Sequence, residues 1–246
     1  MVARGLRINM FSPIKRQAIE QIDFLRDDCK RLLDEMFAIC PADSDGHYPS
    51  AFRIVATPFL YAVWERCFRT SFGIMAMVVR QEASHPAVMS FEQATLWLQR
   101  ESFVTSFIAK LHSRTSNLDG TPTRKAINSG SYRTLVEFLS NLIGWHNHKL
   151  QNIPLDSDLV MTFSNVNVAV LDANAQAIGL SLLPEFIEFR KCIGRLDDLV
   201  GRRNDIGHGT LASPPGAREF KALSELVSDL LVSKFCEVVQ TWILYK

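Results

Sequence analysis

A pattern of apolar residues near the C-terminus places an arginine where a hydrophobic side chain is expected. Five apolar residues follow one another by three or four positions, which is the spacing of one helix face. They are Phe186, Phe189, Ile193, Leu196 and Val200. The next step of the pattern falls on Arg203. Because burying an unpaired guanidinium is costly, the pattern predicts that Arg203 faces an acidic partner, a cleft or an anionic ligand.

Arg203 is followed by further polar residues of chemical interest. Asn204 and His208 are four residues apart and therefore neighbours on a helix. His208 lies about 140° around an ideal helix from Arg203. Because Gly207 and Gly209 flank His208, we expect the helix to loosen there, which would let both side chains reach one cleft. The negative end of a helix also favours the protonated form of a histidine.

Other candidate residues have weaker spacing. His146 and His148 are two residues apart, which suits two ligands on a strand but not one face of a helix. The sequence contains no G-x-S-x-G motif and no glycine-rich phosphate loop. These absences argue against an α/β hydrolase and against an NTPase. No metal site and no cofactor is predicted.

The cysteines favour a reducing environment. Their number is odd, and no two of them form a C-x-x-C pair. They are Cys29, Cys40, Cys67, Cys192 and Cys236. Since most of them lie among apolar residues at helical spacing, we interpret them as reduced core thiols of a cytoplasmic protein. No run of apolar residues reaches the roughly 18 that a membrane span needs, so no membrane association is expected.

The elements that must position these residues are helices. Apolar residues recur at helical spacing over about 13–40, 51–81, 90–112, 131–145, 156–178, 184 to 207 or 209, and 217 to the C-terminus. Ser12 and Pro13 are typical of a helix start. Pro58 predicts that the second helix kinks or begins there. The polar residues 113–130 predict an exposed loop.

One segment leaves a choice between helix and strand. Val166, Val168 and Val170 alternate with other residues, as they would in a strand. We favour a helix because no partner strand with a hairpin turn is in view. The fold class is therefore predicted to be all-α, with one helical domain over residues 1–246.

Composition and charge narrow the function classes. The chain has 47% hydrophobic residues with 16 Phe among them, which allows a sizeable core and excludes disorder of the whole chain. The 27 basic and 26 acidic residues give a net charge of +1. No overall field therefore attracts nucleic acid, and any site for it must be local.

The segment around Arg203 resembles the signature of the HEPN superfamily. That signature is an arginine, four to six residues and a histidine, often with Asn after the Arg and Gly after the His. The string LVGRRNDIGHGT (199–210) matches it with a four-residue gap. ATPFLYAVWERCFR (56–69) resembles the apolar second helix of the RiboL-PSP and MAE-type branch. FSNVNVAVLDANAQAIGL (163–180) resembles its "GN…LG" segment, although Val166 replaces the glycine.

The resemblance implies a helical bundle of HEPN type with additional helices, which dimerises and brings two signatures into a shared cleft. Many members are metal-independent endoribonucleases, and many of those are toxins or antiviral effectors. Arg203 would hold the RNA phosphate, while His208 would transfer protons as the 2′-hydroxyl attacks it. Asn204 would orient His208 or bond the backbone. The resemblance also implies a homodimer, an RNA substrate and a partner protein such as an antitoxin or inhibitor.

The roles of three supporting residues stay open. Glu65 could pair with Arg203 or orient the site. Arg202 could contact phosphate or lie in solvent, and Asp205 could tune the site or be a surface carboxylate. The alternative function is a non-catalytic HEPN module that binds RNA, a nucleotide or a protein. The sequence does not decide whether the first helix belongs to the bundle or swaps between subunits.

Overall fold

The structure is a computed structural model that describes residues 12–82, 160, 162, 165–210 and 213–246, together with 104, 106, 107, 136–142 and 144. Seven α-helices have defined bounds in this part of the chain. They are α1 (Pro13–Ile39), α2 (Ser50–Glu82), α3 (Val168–Ala177), α4 (Pro184–Cys192), α5 (Leu196–Gly207), α6 (Ala217–Glu225) and α7 (Phe235–Tyr245). None of the described helices is long and apolar enough to span a membrane. The predicted all-α class is confirmed.

Helix α1 begins as its sequence predicts. The Ser12 side chain accepts a hydrogen bond from the Lys15 N–H at 3.3 Å, and Pro13 occupies the first helical position, where its missing N–H is not needed. One face of the helix is buried. Its buried residues are Ala18, Ile22, Leu25, Cys29, Leu33 and Met36. Leu33 takes the position that a strict pattern assigns to Leu32, which is only partly buried.

Helix α2 is the central element of the described core. It begins at Ser50 and runs through Pro58, so the predicted range of about 51–81 is confirmed, and of the two alternatives at Pro58 a helix start there is wrong. The helix accommodates Pro58 one residue after Thr57, whose buried hydroxyl donates to the Arg53 carbonyl at 2.7 Å. The following turns present large buried rings to the final helix. Trp64 and Phe72 pack against Phe235 with ring centroids 5.4 and 6.0 Å apart.

The helix predicted from Pro184 to Gly207 or Gly209 is interrupted. Helix α4 ends at Cys192, a turn follows over 193–195, and α5 begins at Leu196. Gly194 lies in this turn, where its low helix propensity favours a break. The five apolar residues that predicted one helix face are nevertheless all buried. The pattern therefore identified burial correctly and continuity wrongly.

The 156–178 segment is helical in its second half. Helix α3 begins at Val168, and the Asn167 side chain caps it by accepting from the Val170 N–H at 2.9 Å. Val166 lies before the helix in irregular backbone. A short 3-10 helix, Leu180–Leu182, then leads into α4. The preference for helix over strand is confirmed from residue 168 onward.

The last predicted helix is continuous from Ala217 to Tyr245, but its middle, Leu226–Lys234, is a π-helix. This segment buries four apolar residues against α1 and α2. They are Leu226, Val227, Leu231 and Val232. The predictions for 90–112, 113–130 and 131–145 fall largely or wholly outside the described residues, as do His146 and His148.

Candidate active site

Helix α5 presents Arg203 to the core side of the molecule, where the described groups that contact it are neutral. Its Nη1 donates to the Asn204 Oδ1 at 2.9 Å and to the Asn165 Oδ1 at 3.3 Å. Its guanidinium carbon lies 5.1 Å from the ring centroid of Tyr61, within the range of a cation–π interaction. The side chain is half-buried. No carboxylate forms an ion pair with Arg203 among the residues that the structure describes, although the Glu65 carboxylate lies near the same Tyr61 phenol.

Helix α2 fixes the segment that carries Asn165. The Tyr61 hydroxyl accepts a hydrogen bond from the Val166 N–H at 2.7 Å. The Trp64 Nε1–H donates to the Val166 carbonyl at 3.0 Å. Both side chains are buried, so these bonds satisfy backbone groups that water does not reach. Because both polar groups of Val166 are held, Asn165 is placed beside Arg203.

The burial of Tyr61 also changes its acidity. Burial raises the pKa of the Tyr61 phenol, and the nearby Glu65 carboxylate raises it further. The Val166 N–H and the Arg203 charge act in the opposite direction but do not cancel the rise. The phenol is therefore neutral at physiological pH, with an aromatic face turned to Arg203.

His208 closes the C-terminal end of α5. Its backbone keeps helical dihedrals, φ −90° and ψ −1°, and its N–H donates to the Asn204 carbonyl at 2.9 Å. The left-handed turn comes at Gly209, with φ 67°, whose N–H donates to the Ile206 carbonyl at 3.1 Å. The Thr210 N–H donates to the Asp205 carbonyl at 2.9 Å, which completes a Schellman motif.

This helix end does not loosen before His208, contrary to the expectation from its flanking glycines. His208 is the C-cap of α5 and its dihedrals stay in the helical region, so on an ideal helix its side chain would point about 140° away from that of Arg203. The two environments agree with this difference, because Arg203 is half-buried and His208 is exposed. Among the described residues, no contact joins the Arg203 side chain to that of His208.

Arg202 is held by a carboxylate, unlike its neighbour. Its Nε and Nη2 donate to the two oxygens of Glu219 at 2.8 and 3.2 Å. The Glu219 carboxylate also accepts from the Gly216 N–H at 3.3 Å, at the start of α6. This bidentate pair ties the signature helix to the final helix. A phosphate contact by Arg202 would have to compete with Glu219.

The other predicted residues occupy distinct places. The Asn204 side chain contacts Arg203, and its backbone carbonyl, not its amide, bonds His208. No ion pair joins Glu65 to Arg203 in the described part of the chain, and Glu65 acts on Tyr61 instead. Asp205 is exposed, and its carbonyl accepts from the Thr210 hydroxyl at 3.2 Å.

Sequence reasoning missed Tyr61 and Asn165. Tyr61 lies four residues before Glu65, within one of the segments that carry the resemblance, but an aromatic residue on an apolar helix gives no signal beyond core packing. Asn165 precedes Val166 in another of these segments, in irregular backbone where no periodicity applies. Their relation to Arg203 depends on contacts between residues that are distant in the sequence.

The described residues contain no group of three His, Cys, Asp or Glu side chains arranged to hold a metal ion. His146 and His148, the pair considered for that role, lie outside the described residues. In the comparison with family models, the model of the RiboL-PSP-HEPN family matches residues 23–240. The matched range includes both Tyr61 and the Arg203–His208 signature. Comparison with curated proteins and with solved structures gives no match.

Proposed function

Because the chain belongs to the RiboL-PSP-HEPN family, we propose that it is an endoribonuclease that cuts RNA without a metal ion. The observation that carries this proposal is the environment of Arg203. Its guanidinium is half-buried and is held by two amide oxygens and one aromatic ring. Neutral partners orient a cation without neutralising it. Such a group retains its attraction for an anion, and the phosphodiester of RNA is a suitable one.

The neighbouring Arg202 differs from Arg203 in having a carboxylate partner. Arg202 lies on the same helix but is paired with Glu219 through two hydrogen bonds. An arginine that only stabilises a fold is expected to have such a partner when it is partly buried. Arg203 is half-buried as well, but it forms no ion pair with any of the described residues. Its arrangement is suited to binding a ligand rather than to stabilising the chain.

The proposed reaction follows from the two side chains. The imidazole of His208 takes the proton of an RNA 2′-hydroxyl, and the 2′-oxygen attacks the adjacent phosphorus. A new bond forms between the 2′-oxygen and phosphorus while the bond to the 5′-oxygen breaks. The leaving 5′-oxygen takes a proton from solvent, which has access to the exposed His208. Arg203 stabilises the negative charge that develops on the non-bridging oxygens. The products are a 2′,3′-cyclic phosphate and a 5′-hydroxyl end.

The geometry of one chain supports a homodimer as the active form. On an ideal helix, Arg203 and His208 point about 140° apart, which disfavours contact of one phosphate with both in a single copy. In a symmetric dimer, Arg203 of one copy and His208 of the other can act on the same phosphate. Two equivalent sites would then result. An inhibitor or antitoxin that separates the copies would silence both.

A second function is favoured by one observation. The exposed His208 ring has no hydrogen-bond partner among the described residues, whereas catalytic histidines are often oriented by a neighbour. Without such a neighbour, the same surface would serve a non-catalytic module that binds RNA, a nucleotide or a protein through Arg203.

A cleavage assay in excess EDTA tests the ribonuclease proposal. The purified chain is incubated with a labelled RNA pool, and the ends of the products are mapped. We expect cyclic phosphate ends, and we expect at least a 100-fold loss of rate in Arg203→Met and His208→Gln, the size of effect seen when one transition-state contact is removed, roughly 10²–10³.

Arg195→Met is the matched control for this assay. Arg195 belongs to the same helix region but is exposed and paired with Asp198. Its replacement should leave the cleavage rate unchanged. Intact RNA with a folded wild-type dimer would reject the nuclease proposal and favour the binding module.

A further inference from the structure

The ring of Tyr61 is the contact of Arg203 that sequence reasoning did not anticipate. The guanidinium carbon of Arg203 lies 5.1 Å from the centroid of this ring. The ring is 2% exposed, and the hydrogen bond from the Val166 N–H to the hydroxyl, 2.7 Å long, limits its rotation. Arg203 therefore rests on a fixed aromatic surface.

An aromatic surface has a consequence that a carboxylate partner would not have. The face of a ring attracts a cation through its quadrupole. Unlike a carboxylate, it does not occupy the N–H donors of the guanidinium. A guanidinium carries five N–H donors in a planar fork. Among the described residues, only one of its nitrogens, Nη1, donates hydrogen bonds, and its acceptors are Asn165 and Asn204. The remaining donors stay available for phosphate oxygens while the charge is held in place.

We infer that Tyr61 is a positioning residue for Arg203, which holds the guanidinium in the orientation that binds phosphate. The catalytic part of this inference rests on the proposed ribonuclease function. The hydroxyl and the ring have separate tasks. The hydroxyl fixes the segment that carries Asn165 through the Val166 N–H, and the ring holds Arg203 directly.

Two substitutions separate these tasks. Tyr61→Phe keeps the ring and loses the hydroxyl, whereas Tyr61→Leu loses both. Tyr61 is also a large buried core residue, so Tyr61→Leu will lower stability whatever its role. Phe72→Leu is the matched control, because Phe72 is a fully buried ring on the same helix that packs on Phe68 and Phe235.

The first readout is binding of inorganic phosphate, which does not require cleavage. Phosphate is titrated into the full chain while the Nε–Hε signal of Arg203 is followed by NMR, with the signal assigned through Arg203→Lys. We expect the dissociation constant to rise about 5- to 30-fold in Tyr61→Leu, the range that a cation–π contact supports. Tyr61→Phe, which keeps the ring, should be affected less than Tyr61→Leu, and Phe72→Leu should stay within about 3-fold of wild type. The upfield shift that the ring imposes on this signal should disappear only in Tyr61→Leu.

The second readout is the rate of RNA cleavage at saturating substrate. We expect the same order, with kcat reduced about 5- to 30-fold in Tyr61→Leu and by a smaller factor in Tyr61→Phe. Equal phosphate binding in Tyr61→Leu and Phe72→Leu would overturn the inference, as would a Tyr61→Phe protein as impaired as Tyr61→Leu. If wild type binds phosphate as expected but cuts no RNA, the ribonuclease proposal fails while the positioning role of Tyr61 stands.

Discussion

Replacing Arg202 by Met keeps most of the apolar stem of the side chain and removes the guanidinium that binds Glu219. An exposed ion pair contributes about 0.2–1 kcal/mol, and breaking a buried one costs about 3–5 kcal/mol. The two side chains are 35% and 27% exposed, which places this pair between those limits but nearer the first. We therefore expect Arg202→Met to lower the free energy of unfolding by about 1–2 kcal/mol. At about 2–4 °C per kcal/mol for a chain of this size, the Tm should fall by several degrees.

The same substitution at Arg203 should have the opposite effect, with little change in stability and a large loss of RNA cleavage. Arg203→Met loses two hydrogen bonds to neutral oxygens and one cation–π contact, but it also removes a partly desolvated charge. These effects oppose each other, so we expect the free energy of unfolding to change by less than about 1 kcal/mol. RNA cleavage should fall at least about 100-fold. Arg202→Met should keep the wild-type rate at a temperature where it is folded.

Thermal denaturation followed by circular dichroism, together with the cleavage assay, measures both profiles. A double-mutant cycle with Glu219→Gln isolates the pair, and we expect a coupling energy of about 1 kcal/mol. The reasoning is refuted if Arg202→Met keeps full stability and loses cleavage. That result would mean that Arg202 contacts phosphate, as the sequence left open, and that Glu219 is not its main partner.

Three further predictions concern stability, pH and thiol chemistry. Gly209→Ala should lower the free energy of unfolding, measured by chemical denaturation, by about 1 kcal/mol, because φ of Gly209 is +67°. Gly207→Ala lies in ordinary helix and should be neutral or stabilising, since a Cβ meets no atom within 4 Å at either position. Equal effects of the two substitutions would contradict the strain argument. Because the pKa of Tyr61 is raised in the folded chain, the unfolded chain loses this phenolic proton at a lower pH. The free energy of unfolding should therefore fall above about pH 10, and the fall should be smaller in Tyr61→Phe. Parallel curves of Tm against pH for the two proteins would refute this. Hydrogen bonds with Cys236 and Cys29, together with burial, raise the pKa of the Cys67 thiol well above its ordinary value. Iodoacetamide should therefore label the exposed Cys192 in the native protein and spare these three buried thiols. Early labelling of Cys67, detected by mass spectrometry, would contradict the packing.

The long helices with a regular apolar face were predictable from the sequence, whereas the break between α4 and α5 and the π-helical segment were not. The apolar patterns located α1, α2 and the final helix within one or two residues of their bounds, because each buries one continuous face. The break between α4 and α5 was missed because the buried residues on both sides of Gly194 keep the same spacing. The π-helical turn of the final helix has no signal in hydrophobic periodicity, and the contacts of the chain offer no physical account of it.

Of the residues at the candidate site, Arg203 was predictable from the sequence, whereas its contacts were not. Arg203 could be singled out because a charged residue on an apolar helix face requires an explanation, and the structure provides a half-buried environment for it. Tyr61 and Asn165 could not be predicted, since each reaches Arg203 across more than 35 residues of sequence. The conformation at His208 was also misjudged, because a glycine on each side does not show which of the two takes the left-handed turn. Gly209 takes it, and the helix therefore extends as far as His208.

The central claim is that Arg203 of one copy and His208 of another act on the same phosphate. It is tested most directly by a mixed dimer with one Arg203→Met chain and one His208→Gln chain, isolated through two different affinity tags. Each parental dimer should be inactive. In the mixed dimer, one of the two sites combines an intact Arg203 with an intact His208, so we predict about half of the wild-type cleavage rate in EDTA. A folded mixed dimer that cuts no RNA, beside an active wild type, would contradict the shared site.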